Sequence, residues 1–294
     1  MKINIVGAFI RNFPFGTELA FKKGFDRIGG HQITTIDTSF PDQVWDYDAD
    51  VTIVFKWIEG DYWKDLKRCK GLKVLYQPDD LRFPHIRKMM VDMLEYCNHA
   101  FTFDDDGASL ALSYGYTSAS KLLLTADDDL YRVIPGTIKD IDLTFIGSLT
   151  TGESHKSRVE MVRLLRATGF QILAVTDLYN IEKLNQIYNR SKIVLNHATD
   201  VGQPFGTGYG YQCRHFEAGL TGACVLSNKI LNDSTLKGFY QFSNERELMS
   251  TARLLLDNES LRNVAGAALL DEIKRSHLPQ HRAAEMIARM ETLV

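Results

Sequence analysis

The stretch QCRHFEAGLTGACVLSN, residues 212–228, reads as a helix, a glycine turn and a buried strand in succession. The apolar run "ACVLS" (223–227) has strand length, and Gly222 punctuates the join before it. Helix then buried strand is the repeating unit of parallel α/β architecture. Arg214 and Glu217 stand three apart, which sets a cation and a carboxylate on one helix face. The small residues Ala218 and Gly219 let such a helix lie close against a neighbour.

The same pattern extends in both directions. Upstream of the quoted span, "IDLTFIGS" (141–148), "FQILAV" (170–175) and "KIVLN" (192–196) read as strands, with helices over 156–167 and near 180–189. The first half repeats it: strands in 3–9, 31–36, 51–55, 72–76, 99–103 and 120–124, and helices near 17–28, 60–69, 84–96 and 106–114. From about 244 the chain reads as helical. The alternation predicts two Rossmann-like, doubly wound α/β domains: 1–135, 136–276, and a closing helix in 277–294 that crosses back to the first. Ligands of such sheets bind beyond the carboxyl ends of the strands, in a crevice between two such domains.

Composition narrows the class. The chain has 294 residues, is 45% hydrophobic and 24% charged, and carries a net charge of -3. That suits a globular protein with no overall drive toward nucleic acid or anionic lipid. Cys69, Cys97, Cys213 and Cys224 show no CxxC spacing and read as reduced thiols of a cytoplasmic protein. No apolar run approaches the roughly 20 residues of a membrane span. The sequence has no G-x-S-x-G nucleophile motif, and no pair of its histidines has zinc spacing.

Ahead of the quoted helix runs "DVGQPFGTGYGYQ" (200–212), with Gly202, Gly206, Gly208 and Gly210. A glycine-rich loop opening a helix offers N–H groups and positive partial charge to an anion. Arg214 in the first turn opposes the helix dipole unless a bound diphosphate accepts its fork. Glu217, one turn on, suits a neutral diol such as a ribose. The plainer alternative is an exposed i,i+3 pair worth about 0.2–0.5 kcal/mol.

Taken in order, these segments resemble GT-B glycosyltransferases, in the branch called spore-maturation (CgeB-like) or group 1-like. The resemblance rests on "RHFEA…GACVLS", on "DLTFIGS" followed by Lys156 and Arg158, on "YNRSKIVLNHA", and on "HLPQHRAAEMIARM" with His277 and Arg282. It implies transfer of a sugar from a nucleotide sugar, with UDP-sugar the default, and requires no further cofactor and no metal. It assigns Glu217 to the ribose, and Arg214 and the Gly147 turn to the diphosphate. Ser148, Lys156, Arg158, Asn196, Gly208 and Gly210 complete the expected donor site. Lys192 and Lys156 are both candidates for a phosphate-facing lysine. The chain departs from the pattern at Tyr209, where many relatives carry a second glutamate eight residues before the first.

Two acidic runs in the first half carry chemistry. Asp79 and Asp80 follow a strand in "YQPDDLRF" and are candidate general bases for an acceptor hydroxyl, or turn and cap residues. Asp104 and Asp106 in "FTFDDDG" have the Asp-x-Asp spacing of a GT-A metal site, although a helix N-cap explains them more simply. "ADDDL" (126–130) reads as a solvated loop. Arg11, Phe13, Phe15, Trp57, Tyr62 and Trp63 either shape an acceptor pocket or pack beneath loops. His155, His197 and His215 lie near the glycine turns and read as structural. The acceptor is open: a glycan, a small molecule or a modified DNA base. A phage-type DNA-modifying transferase would use Arg11, Lys22, Lys23, Arg82, Arg87 and Lys88 as its basic surface. A non-catalytic nucleotide-binding module is the remaining alternative.

Overall fold

The computed structural model describes residues 1–56, 62–149, 156–198 and 200–293. Trp57 and His155 lie outside the described residues. The chain divides into unit 1, Met1–Thr125 with Pro279–Val294, and unit 2, Ala126–Leu278.

Unit 1 is built from β1 (Lys2–Gly7), α1 (Thr17–Ile28), β2 (Gln32–Asp37), β3 (Val51–Phe55), α2 (Tyr62–Arg68), β4 (Leu72–Gln77), α3 (Pro84–Met93), β5 (His99–Thr102), α4 (Asp105–Tyr114) and β6 (Ser118–Lys121). The sheet order is β2-β1-β3-β4-β5-β6, and every pairing is parallel. A parallel sheet covered on both faces demands apolar strands, and β3 is buried at all five positions. Val54, Leu75, Ile86, Met90 and Ala100 form the core on one side. The last helix, α10 (Pro279–Glu291), belongs to this unit and packs on α1. A Cβ on Gly24 of α1 would lie 2.2 Å from the Pro279 carbonyl oxygen, so only glycine permits that approach. Arg27 of α1 donates to Gln280 at 2.9 Å.

Unit 2 contains β7 (Ile141–Ile146), α5 (Lys156–Ala167), β8 (Ile172–Val175), α6 (Ile181–Arg190), β9 (Ser191–Asn196), β10 (Thr207–Gly208), α7 (Cys213–Leu220), β11 (Cys224–Ile230), β12 (Tyr240–Phe242), α8 (Glu245–Asp257) and α9 (Glu259–Ser276). Its sheet runs β10-β11-β9-β7-β8, with β12 also paired to β11. All these pairings are parallel too. The small residues of α7 serve a close approach to α9. A Cβ on Gly219 would lie 2.3 Å from Ile273 and 2.9 Å from Leu269. Gly222, at φ 68, turns the chain from α7 into β11. Among the described residues, no helix is long and apolar enough to cross a membrane.

Candidate active site

At the carboxyl end of the unit 2 sheet, three loops and one helix start converge. Gly147 ends β7 at φ 155, and its N–H donates to Val175 at the end of β8 at 3.0 Å. Arg214, on the first turn of α7, lies over this glycine: a Cβ there would be 3.8 Å from Arg214 Nε. A side chain at that distance would make only ordinary contact with Arg214, so it is the φ of 155 that favours glycine here. The Arg214 Nε is buried and has no hydrogen-bond partner. Arg158, on the first turn of α5, is near enough that Arg214 disfavours its charge. Burial first, and Arg214 second, push its pKa down to about 10, while Asp200 acts the other way. Burial works against the charge of Arg214 as well, and Tyr188 and Glu217 outweigh it and hold its pKa above the usual value. Neither arginine makes an ion pair or hydrogen bond among the described residues.

Two guanidiniums that repel each other, and that have Asp200 and Glu217 nearby but no direct ion pair, suit a multivalent anion. Glu217 does not neutralise Arg214 by contact, so the exposed i,i+3 pair allowed by the spacing does not form. Its Oε2 instead accepts from the Tyr188 hydroxyl at 3.0 Å. Tyr188 is fully buried and lies near Tyr131, ring centres 6.3 Å apart and planes tilted by 50°. This tyrosine orients the carboxylate, and its distance in sequence hides it from a motif search.

The helix start is braced from within. The Gln212 N–H donates to Nδ1 of His215 at 3.1 Å, completing a capping box at α7. The Asn196 amide nitrogen lies 2.6 Å from the same Nδ1. Asn196 thus sits buried behind the helix, tying β9 to α7. Burial pushes the pKa of His215 down to about 3. His197, just past β9, is also buried. Its Nδ1 lies 2.8 Å from the Ala198 carbonyl oxygen, and its Nε2 has no partner. Burial, then Arg158, lower its pKa to about 4 against the pull of Asp200.

Much of the glycine-rich tract serves the sheet. Thr207 and Gly208 form the edge strand β10 against Lys229 and Ile230. Gly206, at φ 92, backs onto residue 243, where a Cβ would lie 2.3 Å from the backbone carbon of Ser243. Gly210, at φ 63, turns the chain into α7. Ser148 follows Gly147 in the same turn, and Lys156 stands exposed at the start of α5. Lys192 pairs with Asp142 at 2.6 Å. Tyr209 accepts a hydrogen bond from Gln203 at 2.7 Å.

In unit 1, Asp80 and Asp79 have different surroundings. Asp80 accepts from Arg82 at 2.9 Å, and its side chain is buried. Its other oxygen has no partner, and burial raises its pKa. Arg82 also reaches Asp104 at 3.2 Å and Asp106 at 3.5 Å. Asp104 caps α4, accepting from Gly107 N–H at 2.5 Å. The Asp-x-Asp pair therefore caps a helix and surrounds a guanidinium. Asp79 is half exposed, 3.9 Å from Lys56.

The basic residues proposed for DNA are mostly engaged. Lys22 pairs with Asp26 at 2.6 Å and Lys88 with Asp92 at 2.8 Å. Arg87 lies over the Tyr114 ring at 5.1 Å.

Residues 144–288 match the family model described as "Glycosyl transferase-like". Solved structures share the fold. A sucrose-phosphate synthase from Thermosynechococcus elongatus aligns with TM-score 0.66 and 9% identity, over 100% of this chain and 99% of that one. An alpha-glucosyltransferase in complex with UDP and a 13-mer DNA aligns with TM-score 0.66 and 12% identity, over 99% of both chains. Anabaena HepE in complex with UDP and glucose aligns with TM-score 0.64 and 10% identity, over 99% of this chain and 100% of that one. No curated protein matches the sequence. The chain has the GT-B fold, with two parallel-sheet Rossmann-like units, and its residues 144–288 form a region that matches the glycosyl transferase-like family.

Proposed function

We propose that the chain transfers a hexosyl or pentosyl group from a UDP-sugar to an acceptor hydroxyl, holding the donor in unit 2. The observation that carries this is the Arg158–Arg214 pair, which makes no direct ion pair among the described residues, with the buried Arg214 Nε left without a hydrogen-bond partner. A diphosphate supplies the missing charge and accepts the Arg214 fork above Gly147. As the glycosidic bond breaks, charge grows on the leaving diphosphate, and these fixed cations stabilise it in place. Glu217, aligned by Tyr188, accepts from the ribose hydroxyls. The alpha-glucosyltransferase and HepE structures, which share this fold, hold UDP, which supports that nucleotide. Asp79, half exposed, is the candidate base, since Asp80 is enclosed with Arg82. The acceptor is proposed to be a glycan or small molecule, because Lys22, Lys88, Arg82 and Arg87 are already engaged. Placement in the spore-maturation (CgeB-like) branch rests on the order of the sequence motifs.

The test is calorimetric titration of UDP and of uridine into the wild-type chain and Arg214→Ala. Loss of a charged hydrogen bond worth about 1.5–3 kcal/mol predicts roughly 10- to 150-fold weaker UDP binding. Uridine affinity stays as it was. Equal UDP affinity in the two proteins removes the diphosphate assignment.

A further inference from the structure

We propose that unit 1 carries a site for a hydroxylated anion, a sugar bearing a phosphate or a carboxylate, with Glu18 as its hydroxyl acceptor. Calling this ligand the sugar acceptor rests on the function proposed above; the site itself rests on its own geometry.

A pocket of about 250 Å³ opens beyond the carboxyl ends of β1, β2 and β3, lined among others by Arg11, Asn12, Glu18, Ser39, Phe55 and Lys56. Strand β1 is where the sheet order reverses, with β2 on one side and β3 on the other. Open parallel sheets bind ligands at such a reversal. Within the pocket, Glu18 on the first turn of α1 is only 1% exposed. Asn12 donates to its Oε1 at 2.5 Å. Its Oε2 is buried with no partner.

The backbone makes room for this carboxylate. A Cβ on Gly7 would lie 3.1 Å from Glu18 Cβ and Cγ, and one on Gly16 would lie 2.9 Å from its Cδ. A buried carboxylate oxygen without a donor is unfavourable, and a ligand hydroxyl supplies that donor. The pocket's cations define the rest of the ligand. Arg11 makes no ion pair among the described residues. Lys56 reaches Asp79 at 3.9 Å and has its backbone at φ 65, a region lysine rarely occupies. A neutral sugar leaves Arg11 unanswered and Lys56 with only its long, half-exposed pairing to Asp79. A bare phosphate meets Glu18 with like charge. A sugar with one anionic group satisfies all three, and Lys56 links this pocket to Asp79.

The experiment titrates glucose 6-phosphate, glucuronate, glucose and inorganic phosphate into the full chain, with and without saturating UDP. Glucose 6-phosphate, glucuronate or both are expected to bind at least tenfold more tightly than glucose or phosphate. Which of the two binds distinguishes a phosphate from a carboxylate group. Arg11→Ala, an exposed change, and Glu18→Gln should each weaken that binding at least tenfold, with UDP affinity unchanged. Glutamine keeps its oxygen toward Asn12 and turns an NH₂ where the ligand hydroxyl must donate. The proposal is overturned if neither charged sugar binds, if glucose or free phosphate binds as tightly, or if both variants bind like the wild type. A chain that ignores UDP yet binds a charged sugar through Glu18 refutes the donor assignment and leaves this site standing.

Discussion

Replacing Glu217 by alanine tests the donor site and the scaffold together. Its Oε2 is the acceptor for the Tyr188 hydroxyl at 3.0 Å, and Tyr188 is fully buried. Removing the carboxylate strands a buried phenol, a loss of about 1–3 kcal/mol. It also deprives Arg214 of one of the neighbours that hold its charge against burial. For a protein of this size, about 1–3 kcal/mol lowers the melting temperature by roughly 2–12 °C. Losing a charged acceptor for the ribose weakens UDP by a further 10- to 150-fold, from about 1.5–3 kcal/mol. The sequence alone suggests that Glu217→Ala acts on the donor with little loss of stability; the Tyr188 bond changes that expectation. Differential scanning calorimetry and UDP titration of Glu217→Ala, Glu217→Gln, Tyr188→Phe and the double variant separate the two effects. Glutamine still accepts from Tyr188 and should keep most of the stability. In the Tyr188→Phe background, Glu217→Ala should cost less than in the wild type. An additive double variant refutes the coupling, and an unchanged UDP dissociation constant in Glu217→Ala refutes the ribose assignment.

Four other outcomes follow from the structure. Asp79→Asn should lower turnover by about 10²–10⁴ without shifting the melting temperature, as loss of a general base does. Asp80→Asn should instead destabilise by about 1–3 kcal/mol by disturbing the buried Arg82 contact, read by urea titration. Burial lowers the pKa of His99 to about 4, of His215 to about 3 and of His197 to about 4, from 6.5. These groups bind protons more weakly when folded, so stability is full above pH 6.5 and falls as pH drops toward 4. His99 and His197 each account for up to about 3 kcal/mol and His215, whose pKa is lowest, for somewhat more, and a denaturation midpoint that stays flat between those limits refutes the assignment. Gly206→Ala places a Cβ 2.3 Å from backbone at φ 92, so it should cost at least about 1–3 kcal/mol and loosen hydrogen-exchange protection in β11.

The elements most legible in the sequence were those with strong local periodicity. Helices α1 and α5 begin and end where the apolar spacing places them, at Thr17–Ile28 and Lys156–Ala167. Strands covered on both faces, such as β3 and β9, stand out as short apolar runs. Strand β10 was hidden because glycines are poor strand formers, and "FGTGYG" matches an anion loop as well as an edge strand. Strand β12, three residues long, is too short for periodicity to register. Arg214, Glu217 and Gly147 were visible because helix spacing and turn chemistry are local properties. Their setting was not: Tyr188 is 29 residues from Glu217 in sequence. Glu18 sits among the polar residues of an ordinary helix start, and only the glycines on either side of it, brought close by folding, reveal its enclosure. Asp80 shows the reverse case, since "PDD" reads equally as a base or a turn until Arg82 is seen beside it.

The association of α10 with α1 bears on the order of assembly during synthesis. Residues 126–278, a continuous stretch, leave the ribosome with every strand of their sheet available. The earlier 125 residues must meanwhile leave the α1 surface around Gly24 uncovered. At 5–20 residues per second, the interval before Pro279 is made is roughly 10–30 s. The later-made unit can therefore reach its native state first, while the earlier one holds a bare helical groove that a chaperone or a mispaired helix is free to occupy. A chain ending at residue 278 should be cut by protease within its first 125 residues, and the 294-residue chain should resist.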